Sequence, residues 1–160
     1  MSIPPEALAL ENAHTGEKGQ PTLAKAYAIL VERWQSGDRD RELALHLLFI
    51  CWYSQVEPDH ITGFVTDEQT TVELQRVFND VFQYVEPQVE KDPEMLYVVG
   101  LMAKLASWVL GDPHEWESRS ERYRQLYRDQ RPGGIDPAVF AGRGAYGEYF
   151  GSQARVENGY

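Results

Sequence analysis

Apolar residues recur at helical spacing in the first patterned stretch of the chain, which follows Pro21. Residues three or four positions apart share one face of a helix, so this spacing predicts an amphipathic helix. Gly37 ends it, and Asp38 is placed to cap the next helix. The apolar positions of the first helix are Leu23, Tyr27, Leu30 or Val31, and Trp34.

Two further stretches are apolar on nearly every side. The sequence DRELALHLLFICWYSQ is apolar between Leu43 and Tyr53 and stops before Pro58, and PEMLYVVGLMAKLASWVL begins at Pro93. A helix that is hydrophobic all round is buried among other helices, so we expect these two to pair in the interior. Gly100 costs about 1 kcal/mol of helix propensity relative to alanine, which favours a close helix crossing at that residue.

Between these two stretches the pattern predicts an amphipathic helix on the surface of the fold. Residues 66–69, TDEQ, are typical of a capping box with Thr66 as the N-cap. Pro87 marks a kink or an end. The apolar stripe holds Leu74, Val77, Phe78, Val81, Phe82 and Val85, and the polar face holds Glu73, Arg76, Asp80 and Gln83.

Asp-Pro pairs precede the last two predicted helices, at residues 92–93 and 112–113. Aspartate as N-cap followed by proline at the first helical position is a strong start signal. The second pair opens a fifth helix with the apolar stripe Trp116, Tyr123, Leu126 and Tyr127, and Asp136-Pro137 predicts one short turn. No run alternates apolar and polar residues convincingly, so the pattern predicts no sheet.

The chain is therefore predicted to be a single all-α domain of about five antiparallel helices, forming a bundle or stacked helical hairpins. We expect an N-terminal arm over residues 1–20, a helical core over 21–131, and an irregular tail rich in glycine and aromatic residues over 132–160 that packs on the core. The Asp-Pro starts give the core a repeat-like character. The tetratricopeptide repeat is not reproduced by the spacing of Gly100, Ala103, Gly111 and Trp116.

Composition and charge narrow the class of protein. The 160 residues are 42% hydrophobic and 25% charged, with a net charge of −10. This charge argues against general nucleic-acid binding, which needs a basic surface. The single cysteine and the absence of a secretory signal favour a reducing, cytoplasmic location. The apolar runs at 43–53 and 95–110 are shorter than the roughly 18–20 residues of a membrane span, so we expect no membrane insertion.

The segment GRGAYG, residues 142–147, has the G-x-G-x-x-G spacing of a dinucleotide-binding turn. That turn needs a preceding strand, a long following helix and an acidic residue about twenty positions on. Only thirteen residues follow the segment, so no cofactor is predicted. We expect the glycines to permit tight turns, with Arg143 at the surface and the segment against the fifth helix. Side chains that would then pack onto the helices are Val139, Phe140, Tyr146, Tyr149 and Phe150.

The histidines and Cys51 form no recognisable catalytic or metal-binding motif. His46 and Cys51 lie about 140° apart around one helix, so they do not face a common site. We predict a buried, hydrogen-bonded His46 and a buried Cys51. His60 and His114 each stand beside an acidic residue but outside any ligand-spaced cluster, so no metal ligand and no catalytic residue is predicted.

Negative charge is concentrated in one part of the chain. Residues 57–94 contain ten acidic and two basic residues. A solvated helix face with acids near helix N-termini would explain this, and so would a docking surface for a basic partner. The arginines and tyrosines of the fifth helix offer a second surface, although such a stripe is also typical of the core face of a terminal helix.

The leading hypothesis is a small acidic protein that binds a basic protein, similar in physical type to an inhibitor or immunity protein directed against a toxin. The sequence is also compatible with a homo-oligomer. The alternative is an enzyme or ligand sensor with a pocket between the central helices, in which His46, Tyr53, His60 and His114 would be the first candidates. The residues predicted to meet the basic partner are Glu57, Asp59, Asp67, Glu68, Glu73 and Asp80.

Overall fold

A computed structural model describes residues 3–16, 19–65 and 67–158. It is all-helical and contains no strand within these ranges, which confirms the predicted fold class. The described residues form eight α-helices rather than about five, with short 3-10 turns at Ser107–Val109 and Pro137–Phe140. The helices are α1 (Pro5–Thr15), α2 (Leu23–Gln35), α3 (Arg41–Val56), α4 (Asp59–Thr62), α5 (Glu68–Val89), α6 (Pro93–Ala106), α7 (Pro113–Gln130) and α8 (Gly144–Glu157).

Aspartate side chains cap most of the predicted helix starts. Asp92 accepts a hydrogen bond from the backbone N–H of Met95, and Asp112 caps α7 in the same way. The cap of α3 is Asp40 rather than Asp38. At the start of α5, Asp67 accepts from the N–H of Thr70, while the predicted cap Thr66 lies outside the described residues. Short polar side chains therefore satisfy the free N–H groups at these helix ends.

Helix α5 has the predicted amphipathic character and is longer than Pro87 alone would suggest. It continues through Pro87 to Val89. The predicted apolar stripe from Leu74 to Val85 is buried throughout, and so is Val89 beyond it. The buried side of α5 packs on α3, so the opposite side faces solvent.

The two most apolar helices, α3 and α6, are both buried, as predicted. They do not pack mainly against each other, so the predicted pairing is wrong. Helix α3 packs mainly against α5, and α6 packs mainly against α7. The close crossing at Gly100 is confirmed, with α7 as the partner. A Cβ on Gly100 would lie 3.1 Å from Cγ of Arg124, and the hydroxyl of Ser120 donates to the carbonyl of Gly100 at 2.9 Å.

The C-terminal segment is not irregular, because α8 occupies most of it. Helix α8 packs mainly against α1, α3 and the Pro137–Phe140 turn, and it meets α7 at the ion pair of Glu157 with Arg124. Of the five residues expected to pack inward, Phe140, Tyr146 and Phe150 are fully buried, Tyr149 is half-buried and Val139 is exposed. The segment predicted as an N-terminal arm holds α1, which packs against both α2 and α8.

Gly147 lets α8 approach the turn before it. A Cβ at this position would collide with the carbonyl oxygen of Phe140 and lie 2.9 Å from Cβ of Arg143. We expect Gly147→Ala to lower the free energy of unfolding by about 1–3 kcal/mol, because overpacking forces the backbone to move. Denaturant titration measures the loss.

Gly133→Ala is the matched control for this substitution. A Cβ on Gly133 would meet no atom within 4 Å, and its backbone is not in the left-handed region. We expect the control to change stability by less than about 0.5 kcal/mol. Equal effects of the two substitutions would contradict a steric role for Gly147.

Candidate functional site

The six acidic residues predicted to bind a partner all lie at the surface, in two groups. Glu57 follows the end of α3 and is half-buried, and Asp59 begins α4 and is exposed. Asp67 caps α5, and Glu68, Glu73 and Asp80 lie on it; all four are exposed. Seven residues separate Glu73 from Asp80, so both side chains leave the same face of the helix.

The remaining acids of the 57–94 segment are held by arginines of the same chain. Glu86 and Glu90, near the end of α5, pair with Arg119 and Arg122 of α7. Asp92 pairs with Arg41, and Glu94 pairs with Arg143. Negative charge that is not neutralised in this way is therefore concentrated in the stretch from Asp67, the cap of α5, to Asp80. There, Asp80 has one exposed partner, Arg76, at 3.4 Å.

Exposed apolar side chains stand among these carboxylates. Val72 is 58% exposed and lies one turn after Glu68, while Val65 is 72% exposed just before the helix. Residues four apart on a helix are neighbours on its surface, so Glu68 and Val72 belong to one patch. We call Val65, Asp67, Glu68, Val72, Glu73 and Asp80 the α5 acidic face.

A second polar cluster lies inside the protein, centred on His46 of α3. Its Nδ1 is 2.7 Å from a carboxylate oxygen of Glu11, and its Nε2 is 3.3 Å from one of Glu42. His46 and Glu11 are both fully buried. The prediction of a buried, hydrogen-bonded His46 is confirmed, and its partner Glu11 comes from α1.

Two carboxylates keep His46 protonated. Burial opposes a charge on the ring, but the hydrogen bonds to Glu11 and Glu42 outweigh burial and raise the pKa of His46 to about 9. Burial alone would raise the pKa of Glu42, yet hydrogen bonds from Arg143 and His46 lower it to about 2. His46 is therefore protonated at neutral pH, and both of its ring nitrogens donate.

Arg143 completes this cluster. The sequence predicted this residue at the surface, but its side chain is half-buried. Its Nε donates to Glu42 at 2.8 Å, and its Nη2 lies 2.8 Å from Glu94. The guanidinium also sits 5.0 Å from the ring centre of Tyr146, whose hydroxyl donates to Glu94 at 2.6 Å. Four helices, α1, α3, α6 and α8, thus meet in one buried ionic network of Glu11, Glu42, His46, Glu94, Arg143 and Tyr146.

The glycine segment lies against this network. Gly142 and Gly144 adopt left-handed conformations, with φ of 73° and 67°. A Cβ on Gly144 would lie 2.6 Å from a carboxylate oxygen of Glu11, and that oxygen is 3.4 Å from the N–H of Tyr146. The helix N-terminus that would attract a phosphate is therefore occupied by the protein's own carboxylate.

The other residues considered for chemistry are dispersed. Cys51 is fully buried, as predicted, and burial raises the pKa of its thiol. His60 and His114 are exposed on α4 and α7. Tyr53 lines a surface groove together with His14, a residue that the sequence pattern did not single out. The described residues contain no group of three or more His, Cys, Asp or Glu side chains placed to hold a metal ion.

The arginines and tyrosines of α7 serve mainly in packing. Tyr123 and Tyr127 are buried, which favours the core-face interpretation. Arg119 and Arg122 face the carboxylates of α5, and Arg119 also lies 4.4 Å from the ring centre of Trp116.

Comparison of the chain with protein-family models, with curated proteins and with solved structures found no match. No helix in the described ranges is both long enough and apolar enough to cross a membrane.

Proposed function

We propose that this protein binds and occludes a basic protein through the α5 acidic face, in the manner of a small inhibitor or immunity protein. The observation that carries the proposal is the division of acidic residues along α5. The carboxylates at its C-terminal end, Glu86 and Glu90, are matched by arginines of α7, whereas those from Asp67 to Asp80 are exposed. Glu57 and Asp59, on the neighbouring α3–α4 connection, would extend the contact.

Charge and apolar area have separate roles in such an interface. A one-signed patch raises the rate of encounter with an oppositely charged partner and repels competitors of like charge. Exposed Val65 and Val72 supply area that can be desolvated at the centre of the contact. The partner would present lysines and arginines around an apolar centre.

Charge reversal at two positions tests the proposal. The protein is immobilised, and proteins that it retains from an extract of its source cells are identified and purified. We expect Glu73→Lys with Asp80→Lys to lower the association rate constant with the retained partner about tenfold or more at low salt. The salt dependence of the rate should also become weaker, because fewer opposite charges attract.

Glu117→Lys with Glu121→Lys provides the control. Both residues are exposed on α7, and the double change alters net charge by the same amount. We expect this variant to keep most of the wild-type association rate. If the two double variants behave alike, or if no basic protein is retained, the proposal is wrong.

A further inference from the structure

A groove of about 260 Å³ opens between α1, α3 and α8, away from the buried ionic network. Tyr53 and Tyr149 both line it, with ring centres 5.7 Å apart and ring planes at 69°. The two rings are therefore closer to perpendicular than to parallel, and we call this arrangement the aromatic corner. Phe49 packs against both rings. The described residues lining the groove are His14, Thr15, Phe49, Tyr53, Ala145, Glu148, Tyr149, Ser152 and Gln153.

The charge around this corner has one sign. Glu148 is the carboxylate of the groove wall, and the described lining includes no lysine or arginine. Burial lowers the pKa of His14, so this histidine is neutral at physiological pH. Burial raises the pKa values of Tyr53 and Tyr149, and the nearby carboxylate of Glu57 raises them further. Glu148 in the groove wall and Glu57 nearby therefore place negative charge close to the two tyrosine rings.

We propose that this groove binds an organic cation, an alkylammonium or guanidinium group, against Tyr53 and Tyr149 and beside Glu148. The faces of aromatic rings carry partial negative charge and attract such cations, and a carboxylate at the rim adds to the attraction. Apolar walls with one or two placed polar groups are the usual composition of a small-ligand site. The cation could be a free metabolite or the side chain of a lysine or arginine in another protein.

An uncharged ligand of the same shape separates this proposal from simple apolar binding. Choline and 3,3-dimethylbutan-1-ol have the same size, but only choline is charged. The two compounds are titrated into the intact protein while the aromatic ring signals are followed by NMR. We expect choline to shift the signals of Tyr53, Tyr149 and His14 with a dissociation constant of about 1–10 mM, and to bind at least about threefold more tightly than the alcohol.

Substitutions in the groove identify the source of the attraction. Glu148 is exposed, so Glu148→Gln should leave folding intact and weaken choline binding about two- to fivefold. Tyr149→Phe keeps the ring and should bind choline within about twofold of wild type, whereas Tyr149→Leu should lose most of the binding. Circular dichroism and thermal melting of each variant show whether it is folded.

A second titration with acetyl-glycyl-arginyl-glycine amide distinguishes the two sources of the cation. Tighter binding of this peptide than of choline indicates a side chain of another protein, and the reverse order indicates a free ligand. Equal binding of choline and its uncharged analogue would overturn the proposal, as would the absence of shifts at Tyr53 and Tyr149. Glu73→Lys with Asp80→Lys should leave choline binding unchanged, so failure of the α5 acidic face and failure of the groove can be told apart.

Discussion

Replacing His46 by glutamine should lower the free energy of unfolding by about 3–5 kcal/mol, because the substitution leaves the carboxylate of Glu11 buried without a cation. Glu11 is fully buried, and its nearest partner is the ring of His46 at 2.7 Å. A buried carboxylate that loses this partner must either remain charged in a poor solvent or take up a proton. Both outcomes favour the unfolded state.

A double-substitution cycle isolates the pair itself. In the Glu11→Gln, His46→Gln double variant, two neutral amides replace two charges, so part of the lost stability should return. We expect a coupling energy of about 2–3 kcal/mol from urea denaturation of the four proteins.

Ser54→Ala controls for changes on the same helix, since the buried hydroxyl of Ser54 makes no hydrogen bond within the described residues. It should change stability by less than about 0.5 kcal/mol. If His46→Gln costs no more than this control, the ionic network does not hold the fold together.

The second large effect concerns pH. In the unfolded chain the pKa of His46 is near its ordinary value of 6.5, whereas in the folded protein it is raised to about 9. The folded state therefore retains a proton that the unfolded state has lost between these values. The stabilisation from His46 is fully present below pH 6.5 and disappears as the pH rises through 9, which amounts to a loss of about 3 kcal/mol.

Unfolding free energies measured at half-unit steps from pH 6 to pH 9 test this expectation. Stability of the wild-type protein should fall steadily over that interval, and stability of the His46→Gln variant should stay nearly level. A pH-independent wild-type curve would show that His46 is not the protonated centre of the network.

Acid should act through a different group. The folded pKa of Glu42 is lowered to about 2 from an ordinary value of 4.5, so its stabilisation is present above pH 4.5 and is lost as the pH falls towards 2. The network is consequently expected to stabilise the fold most between about pH 4.5 and pH 6.5. The lower limit of this pH range is set by Glu42 and the upper limit by His46, because each is stabilised in its charged form.

The same network explains how the two ends of the described chain are joined. Glu11 lies on α1 and Arg143 directly precedes α8, and both meet residues of α3. Helix α3 therefore receives a charged side chain from each end of the described chain, Glu11 at His46 and Arg143 at Glu42. The α5 acidic face contributes no residue to this network.

Several helices and their ends were predictable from local pattern. The apolar stripe of α5 and the Asp-Pro starts of α6 and α7 needed only residues within a few positions of each other. The all-round apolar character of α3 and α6 correctly placed them in the interior. Helix α1 was missed because its apolar and polar residues give little periodic signal, α8 because it contains three glycines, and α4 because it is only four residues long.

The surface site and the internal network differ in how far local sequence determines them. The i,i+4 pair Glu42 and His46 was a visible signal on α3, but Glu11, Glu94 and Arg143 are contributed by three other parts of the chain. Likewise, the sequence shows the excess of acidic residues in 57–94, but it does not show which of them pair with arginines of α7. Those identities depend on which helix faces which.

By itself the sequence determined the all-helical class, most of the helices of the core, the burial of His46 and Cys51, and the concentration of negative charge. Each of these depends on residue type and on spacing within one or two helical turns. Only the tertiary structure decided that α6 pairs with α7, that GRGAYG lies against a buried carboxylate, and that the outward charge lies between Asp67 and Asp80. These depend on contacts between residues up to 135 positions apart, which no local pattern encodes.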